Sequence, residues 1–196
     1  PEPFRSFRLP DGWVEKFWAD PAHKKLVELP PRELVALVPT QAGFRWCRCP
    51  ECLGDETADT LKWSIAKPGE LTCAKCGKSF PNEKIPAKTD KKVPEEVVEV
   101  RPGVRHKYPY HSPEEEDRRW PEERIYLAAK RDYEAREFLS KTAAHAALAY
   151  RDSSDTKDGK SKAKLASLLV LAFARVYPNY APHYDQPNEP KYLHPA

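Results

Sequence analysis

At 196 residues the chain has room for one ordinary domain, or for a small domain joined to part of a larger one. Its 33 basic and 30 acidic side chains nearly balance at a net charge of +3, which argues against a dedicated nucleic-acid binder. The 21 prolines, about twice the usual ~5% share, assign much of the chain to turns and extended connections. The longest apolar run, 165–177, is interrupted by Ser167 and Arg175 and is far shorter than the ~20 residues that cross a bilayer, so no membrane span is expected. There is no methionine, and we expect Pro1 to open a processed or trimmed piece.

In chain order, residues 1–44 read as a proline-punctuated lead-in with short helices. Asp20 followed by Pro21 is an N-cap with proline at the first helical position, and Leu26, Val27 and Leu29 supply an apolar side. Pro30 and Pro31 break it. A second short helix is predicted over 32–38, stopped by Pro39. Trp13, Phe17 and Trp18 are expected to anchor this arm to something larger.

Residues 45–82 carry the cysteines. Between the cysteine pairs, Leu61, Trp63 and Ile65 alternate with Lys62 and Ser64, a half-buried strand, and Pro68-Gly69 turns the chain toward Leu71 and Cys73. Residues 83–111 lack helical periodicity and read as an extended connector with one short strand at 97–100. From 112 the character is helical. Ser112, Pro113 and Glu115 match a capping box, and Pro121 opens a segment to about Arg151. In that segment Ala128, Ala135, Phe138, Leu139, Thr142, Ala146 and Ala149 form one apolar stripe. After a polar loop, 152–160, a second helix over 161–177 is apolar nearly all round and should be buried on most sides. One amphipathic helix cannot cover it, and residues 178–196 carry five prolines. The missing partners are therefore expected from outside this chain. The fold class expected is mainly α with a small β zinc ribbon.

Cys49-Pro50-Glu51-Cys52 and Cys73-Ala74-Lys75-Cys76-Gly77 are two knuckles separated by 20 residues, the spacing at which two thiolate pairs close on one ion. Four thiolates fill a tetrahedral shell and leave no position for water, so the cofactor expected is a structural zinc rather than a catalytic one. Disulfides or a redox pair are the competing readings. Cys47 is either a spare thiol beside the site or a ligand in place of Cys49.

Two histidine–tyrosine clusters follow. His106, Tyr108 and His111, with Lys107 and Tyr110, could bind a substrate or move protons beside Arg101 and Arg105, or simply pin the connector to the surface it crosses. Tyr180, His183 and Tyr184 follow the last helix, where binding residues are often displayed, although tyrosine is equally a packing residue in proline-rich loops. Arg131 and Arg175 read as paired structural arginines. The chain has no Gly-rich phosphate loop, no G-x-S-x-G and no H-E-x-x-H, and only seven glycines, which excludes the commoner nucleotide, serine-hydrolase and zinc-protease sites.

The stretch Tyr126-Leu127-Ala128-Ala129-Lys130-Arg131-Asp132-Tyr133, continuing through 144–150 and then 168–178, resembles the N-terminal helical region of heparinase II/III-like polysaccharide lyases that carry a Cys-rich insert ahead of the helices. Trp63, Cys73, Cys76, Gly77, Phe80, Pro81 and Asn82 are compatible with that insert. The resemblance implies an incomplete α/α toroid and a secreted or periplasmic location. It also implies a parent enzyme that cleaves uronate-containing polysaccharides by β-elimination, with its catalytic residues beyond this chain. The alternative is a zinc-ribbon adaptor for nucleic acid or protein using Lys84, Lys88, Lys91 and Lys92, a basic run that Glu83, Asp90, Glu95 and Glu96 dilute.

Overall fold

The computed structural model describes residues 11–53, 59–86 and 93–180. His183 and Tyr184, and Lys88, Lys91 and Lys92, lie outside them. Helix is the dominant regular structure, accompanied by two small antiparallel sheets. Among the described residues no helix is long and apolar enough to cross a membrane. The chain divides into two compact units: the described part of Pro1–Val38 with Phe138–Phe173, and Pro39–Glu137 with the described part of Ala174–Ala196.

The first unit contains α1 (Trp13–Ala19), α2 (Pro21–Glu28) and α3 (Pro31–Ala36). Asp20 caps α2 as its sequence predicts: its carboxylate accepts the Ala22 N–H at 2.8 Å, and Pro21 opens the first turn. Leu26 and Leu34 are almost fully buried, which contributes roughly 1.5–3 kcal/mol each. The same unit holds the later part of α4 (Leu127–Asp152) and most of α5 (Lys157–Val176). Leu139, Thr142, Ala146 and Ala149 of the predicted stripe are buried on α4. The helix α5 differs from expectation. Leu165, Ala166, Leu169 and Ala172 are buried along one face, whereas Val170 and Leu171 are more than half exposed, so its burial reaches one side only.

Trp18 is buried and donates its indole N–H to the His145 carbonyl, with the Lys162 ammonium 5.0 Å over its ring. Phe17 stacks on both His145 (4.2 Å) and His23 (4.0 Å). The anchors predicted at Phe17 and Trp18 therefore hold the arm to α4, while Trp13 stays half exposed. The His145 Nδ1 is buried without a hydrogen-bond partner, and burial, then the nearby His23, lower its pKa. The unfolded chain takes up a proton here near pH 6.5, at a pH where the folded unit still resists it. Stability should thus be complete above about pH 6.5 and fall as the pH drops through the lower folded-state pKa. Melting temperatures measured from neutral to mildly acidic pH should fall in the native chain and fall less steeply in His145→Phe, where His106 and His111, their pKa also lowered by burial, remain; equal slopes would rule out His145 as a cause.

The second unit contains a three-stranded sheet, β1 (Leu61–Trp63), β2 (Leu71–Cys73) and β3 (Ser79–Phe80), in the order β1-β2-β3. Leu61 pairs with Cys73 and Leu71 with Phe80. These four residues are buried together with Cys47, Cys49 and Ile85, and Ile125, just before α4, and Leu127, its first residue, join the same core. The strand predicted at 97–100 lies within β4 (Glu95–Arg101), but the rest of the stretch read as an extended connector pairs with it as β5 (Val104–Pro109) in a β-hairpin. Its turn is Pro102-Gly103, with Gly103 at φ 78°. Residues 112–126 are not helical apart from one 3-10 turn, Glu115–Asp117. Here the chain is held extended by a bridge between His111 and Ile125 and by Glu123, whose buried carboxylate accepts from Arg48 Nη2 at 2.6 Å and from Arg119 N at 2.8 Å.

Phe44 links the lead-in to α4: its N–H donates to the Ala129 carbonyl at 3.0 Å, and its ring packs tilted against Tyr108 and edge-to-face against Tyr126. This approach requires glycine at 43. Gly43 has φ 75°, and a Cβ there would lie 2.3 Å from the Ala129 carbonyl oxygen. The Lys130 ammonium, 1% exposed, is satisfied by Asp59 and Glu134 at 2.6 Å each, tying the sheet to the same turn of α4.

Candidate functional site

The two knuckles are the same turn made twice. In the first, the Leu53 N–H bonds the Cys49 carbonyl at 2.9 Å; in the second, the Gly77 N–H bonds the Cys73 carbonyl at 2.8 Å. Each closes on a residue with positive φ, Leu53 at 47° and Gly77 at 73°. Cys73 ends β2, and its N–H bonds the Lys78 carbonyl at 2.9 Å, so the second knuckle grows directly out of the sheet. At the surface, the Glu51 carboxylate of the first knuckle takes a 2.8 Å ion pair from Lys78, just past the second. That hydrogen bond holds the Glu51 carboxyl below the usual range.

Sulfur ligands of all four cysteines lie within 4.8 Å of one another, in a possible metal-binding arrangement. Cys49 Sγ is 3.7 Å from Cys76 Sγ, and Cys52 Sγ is 3.7 Å from Cys73 Sγ. A disulfide needs about 2.05 Å, so these are thiols. A tetrahedral ion with metal–sulfur bonds of about 2.3 Å sets its sulfurs ~3.8 Å apart, and the two 3.7 Å pairs match that edge. The thiols are inequivalent. Burial pushes Cys49 up, whereas at Cys73 burial is outweighed by the N–H groups of Cys76 and Lys75, and its pKa falls to about 6. Cys47 is buried in the same core, with its Sγ turned 3.7 Å from the Arg48 carbonyl, and is not one of the four clustered cysteines.

The predicted histidine–tyrosine residues separate into different roles. His106 and Tyr108 lie on the same side of β5; both are buried, and the His106 Nδ1 sits 3.2 Å from the Tyr108 hydroxyl. Burial lowers the His106 pKa and raises that of Tyr108. Tyr180 is buried too: its hydroxyl donates to the Pro39 carbonyl at 2.7 Å, and burial pushes it up to about 12. Tyr108 and His111 line a cleft of about 270 Å³ formed by the edge of the sheet, the hairpin and the first turns of α4. Sequence reasoning did not place Gln41, Arg131 and Asp132 on this wall. Arg131 is indeed paired, with Asp132 at 3.1 Å. Burial raises the Asp132 carboxyl while Arg131 opposes the rise. The only advance signal was the charged Arg131-Asp132 step inside an alanine-rich helix start.

Compared with protein-family models, with curated proteins and with solved structures, the chain matches none.

Proposed function

We propose that Cys49, Cys52, Cys73 and Cys76 hold one structural zinc ion in a zinc ribbon. The reading is carried by the sulfur spacing of 3.7 Å in two pairs that belong to a closed four-thiolate set. Zinc, with no geometric preference from its d electrons, suits such a set and leaves no coordination position for chemistry. Its service is to fasten β1, β2 and β3, whose hydrophobic core is too small to stand alone. Elemental analysis of the purified chain, with a thiol count before and after chelation, tests it. One zinc per chain and four thiols released on chelation is the expected result, and cysteines recovered as disulfides would remove the site.

The ribbon and helices together are proposed to be part of a polysaccharide lyase, exported from the cell, that acts on uronate-containing glycans by β-elimination, its helical part belonging to an α/α toroid. The sequence resemblance supports this reading, and so does a cleft of ligand size beside the ribbon. None of the described residues is placed in a catalytic role. Release of unsaturated uronate by the whole protein is the expected outcome. Retention of the chain on DNA or RNA at moderate salt would instead favour a ribbon adaptor.

A further inference from the structure

The cleft beside the ribbon offers polar groups that the fold does not use. The His111 backbone is occupied by the bridge to Ile125, but its imidazole makes no hydrogen bond among the described residues. Burial lowers its pKa, so at neutral pH the ring is an uncharged donor and acceptor. Arg131 and Asp132 bond only to each other there, and both side chains still reach solvent. The same cleft is lined by the rings of Pro81, Pro86 and Pro109.

Charge selects the ligand. The Arg131 guanidinium is balanced by Asp132, and Lys107 at the same wall is balanced by Glu95 at 3.5 Å. The cleft therefore holds no uncompensated cation to capture a carboxylate or phosphate, and Asp132 would repel either. A guanidinium beside a carboxylate presents adjacent donors and an acceptor, the complement of two neighbouring hydroxyls, each of which both donates and accepts. Flat proline faces suit the C–H face of a saturated ring. At about 270 Å³ the space lies just below the ~300–1,000 Å³ of common small-ligand sites, which is room for one ring.

We propose that this cleft binds a single neutral sugar ring through its vicinal hydroxyls, read by Arg131, Asp132 and His111 against the proline wall. The choice of a sugar rests on the glycan reading above; the neutrality of the ligand rests on the paired charges alone.

The test is a titration of the metal-loaded, isotope-labelled full chain with millimolar glucose, galactose, mannose and xylose, with glucuronate and uridine as comparisons, followed by amide shifts. At least one neutral sugar should move the amides of His111, Arg131 and Asp132. Asp132→Asn should weaken that binding at least tenfold, and Ala128→Phe, which fills the cleft, should abolish it while the remaining amides stay dispersed. Tighter binding of glucuronate or uridine, no response to any neutral sugar, or binding that survives Ala128→Phe would each overturn the site. Sugar binding without lyase product in the whole protein would keep the site and remove the lyase reading. Lyase product without binding here would do the reverse.

Discussion

Replacing Cys73 by serine is expected to leave residues 45–82 without a fixed structure while the helical signal of the chain largely persists. Cys73 is fully buried, pairs with Leu61 across the sheet, and supplies both a sulfur and the carbonyl that closes its knuckle. A structural zinc contributes an apparent ~10–16 kcal/mol to small zinc-dependent folds, as much as the ~5–15 kcal/mol that stabilises a whole domain. Three strands of two or three residues cannot replace it. Metal content should fall to zero per chain, and the amides of Leu61, Leu71 and Phe80 should collapse into the unstructured range. Because Ile125 and Leu127 share the ribbon core, the first turn of α4 should loosen with it. Cys47→Ser provides the control. It should keep the metal, and a Cys47→Ser chain that loses it would make Cys47 the ligand.

The second large effect is at Glu123. Its carboxylate, 1% exposed, accepts from Arg48 and from both the backbone and the side chain of Arg119. Glu123→Ala strands the Arg48 guanidinium in a site that is 4% exposed, with only the Asp117 and Leu53 carbonyls left to satisfy it. Breaking a buried pair from one side costs ~3–5 kcal/mol. Chemical denaturation should show the free energy of unfolding reduced by that amount. Arg48→Met should cost less, because Glu123 keeps Arg119. If Arg48→Met proved the more damaging, the pair would not be the reason Glu123 matters.

How much of this was readable in the sequence depends on the range of the forces involved. The Asp20-Pro21 cap and the two C-x-x-C knuckles are set within four residues, and the sequence shows them directly. Ser112 and Glu115 carry an equally local helix signal, yet only one 3-10 turn forms. The partners that hold the chain extended there, Arg48 for Glu123 and Glu96 for Arg124 and Tyr126, are 75, 28 and 30 residues away. The hairpin was obscured because β4, Glu-Glu-Val-Val-Glu-Val-Arg, and β5, Val-Arg-His-Lys-Tyr-Pro, mix charged and apolar residues without a regular alternation; beyond the short strand read at 97–100, Pro102-Gly103 was its local mark. The cleft was less visible still. Arg131 and Asp132 are adjacent in sequence, but His111 and Pro81 reach them only through the hairpin and the sheet.

The two knuckles also differ in how ready they are for an ion. Gly77 adopts its left-handed turn at no steric cost, whereas Leu53 does so against a penalty of ~1–2 kcal/mol. At Cys73 the N–H groups of Cys76 and Lys75 favour a thiolate against burial, whereas burial disfavours one at Cys49. The conformational cost of the four-sulfur set is therefore carried by the first knuckle, at Leu53, and the second knuckle is the more relaxed half of the pair.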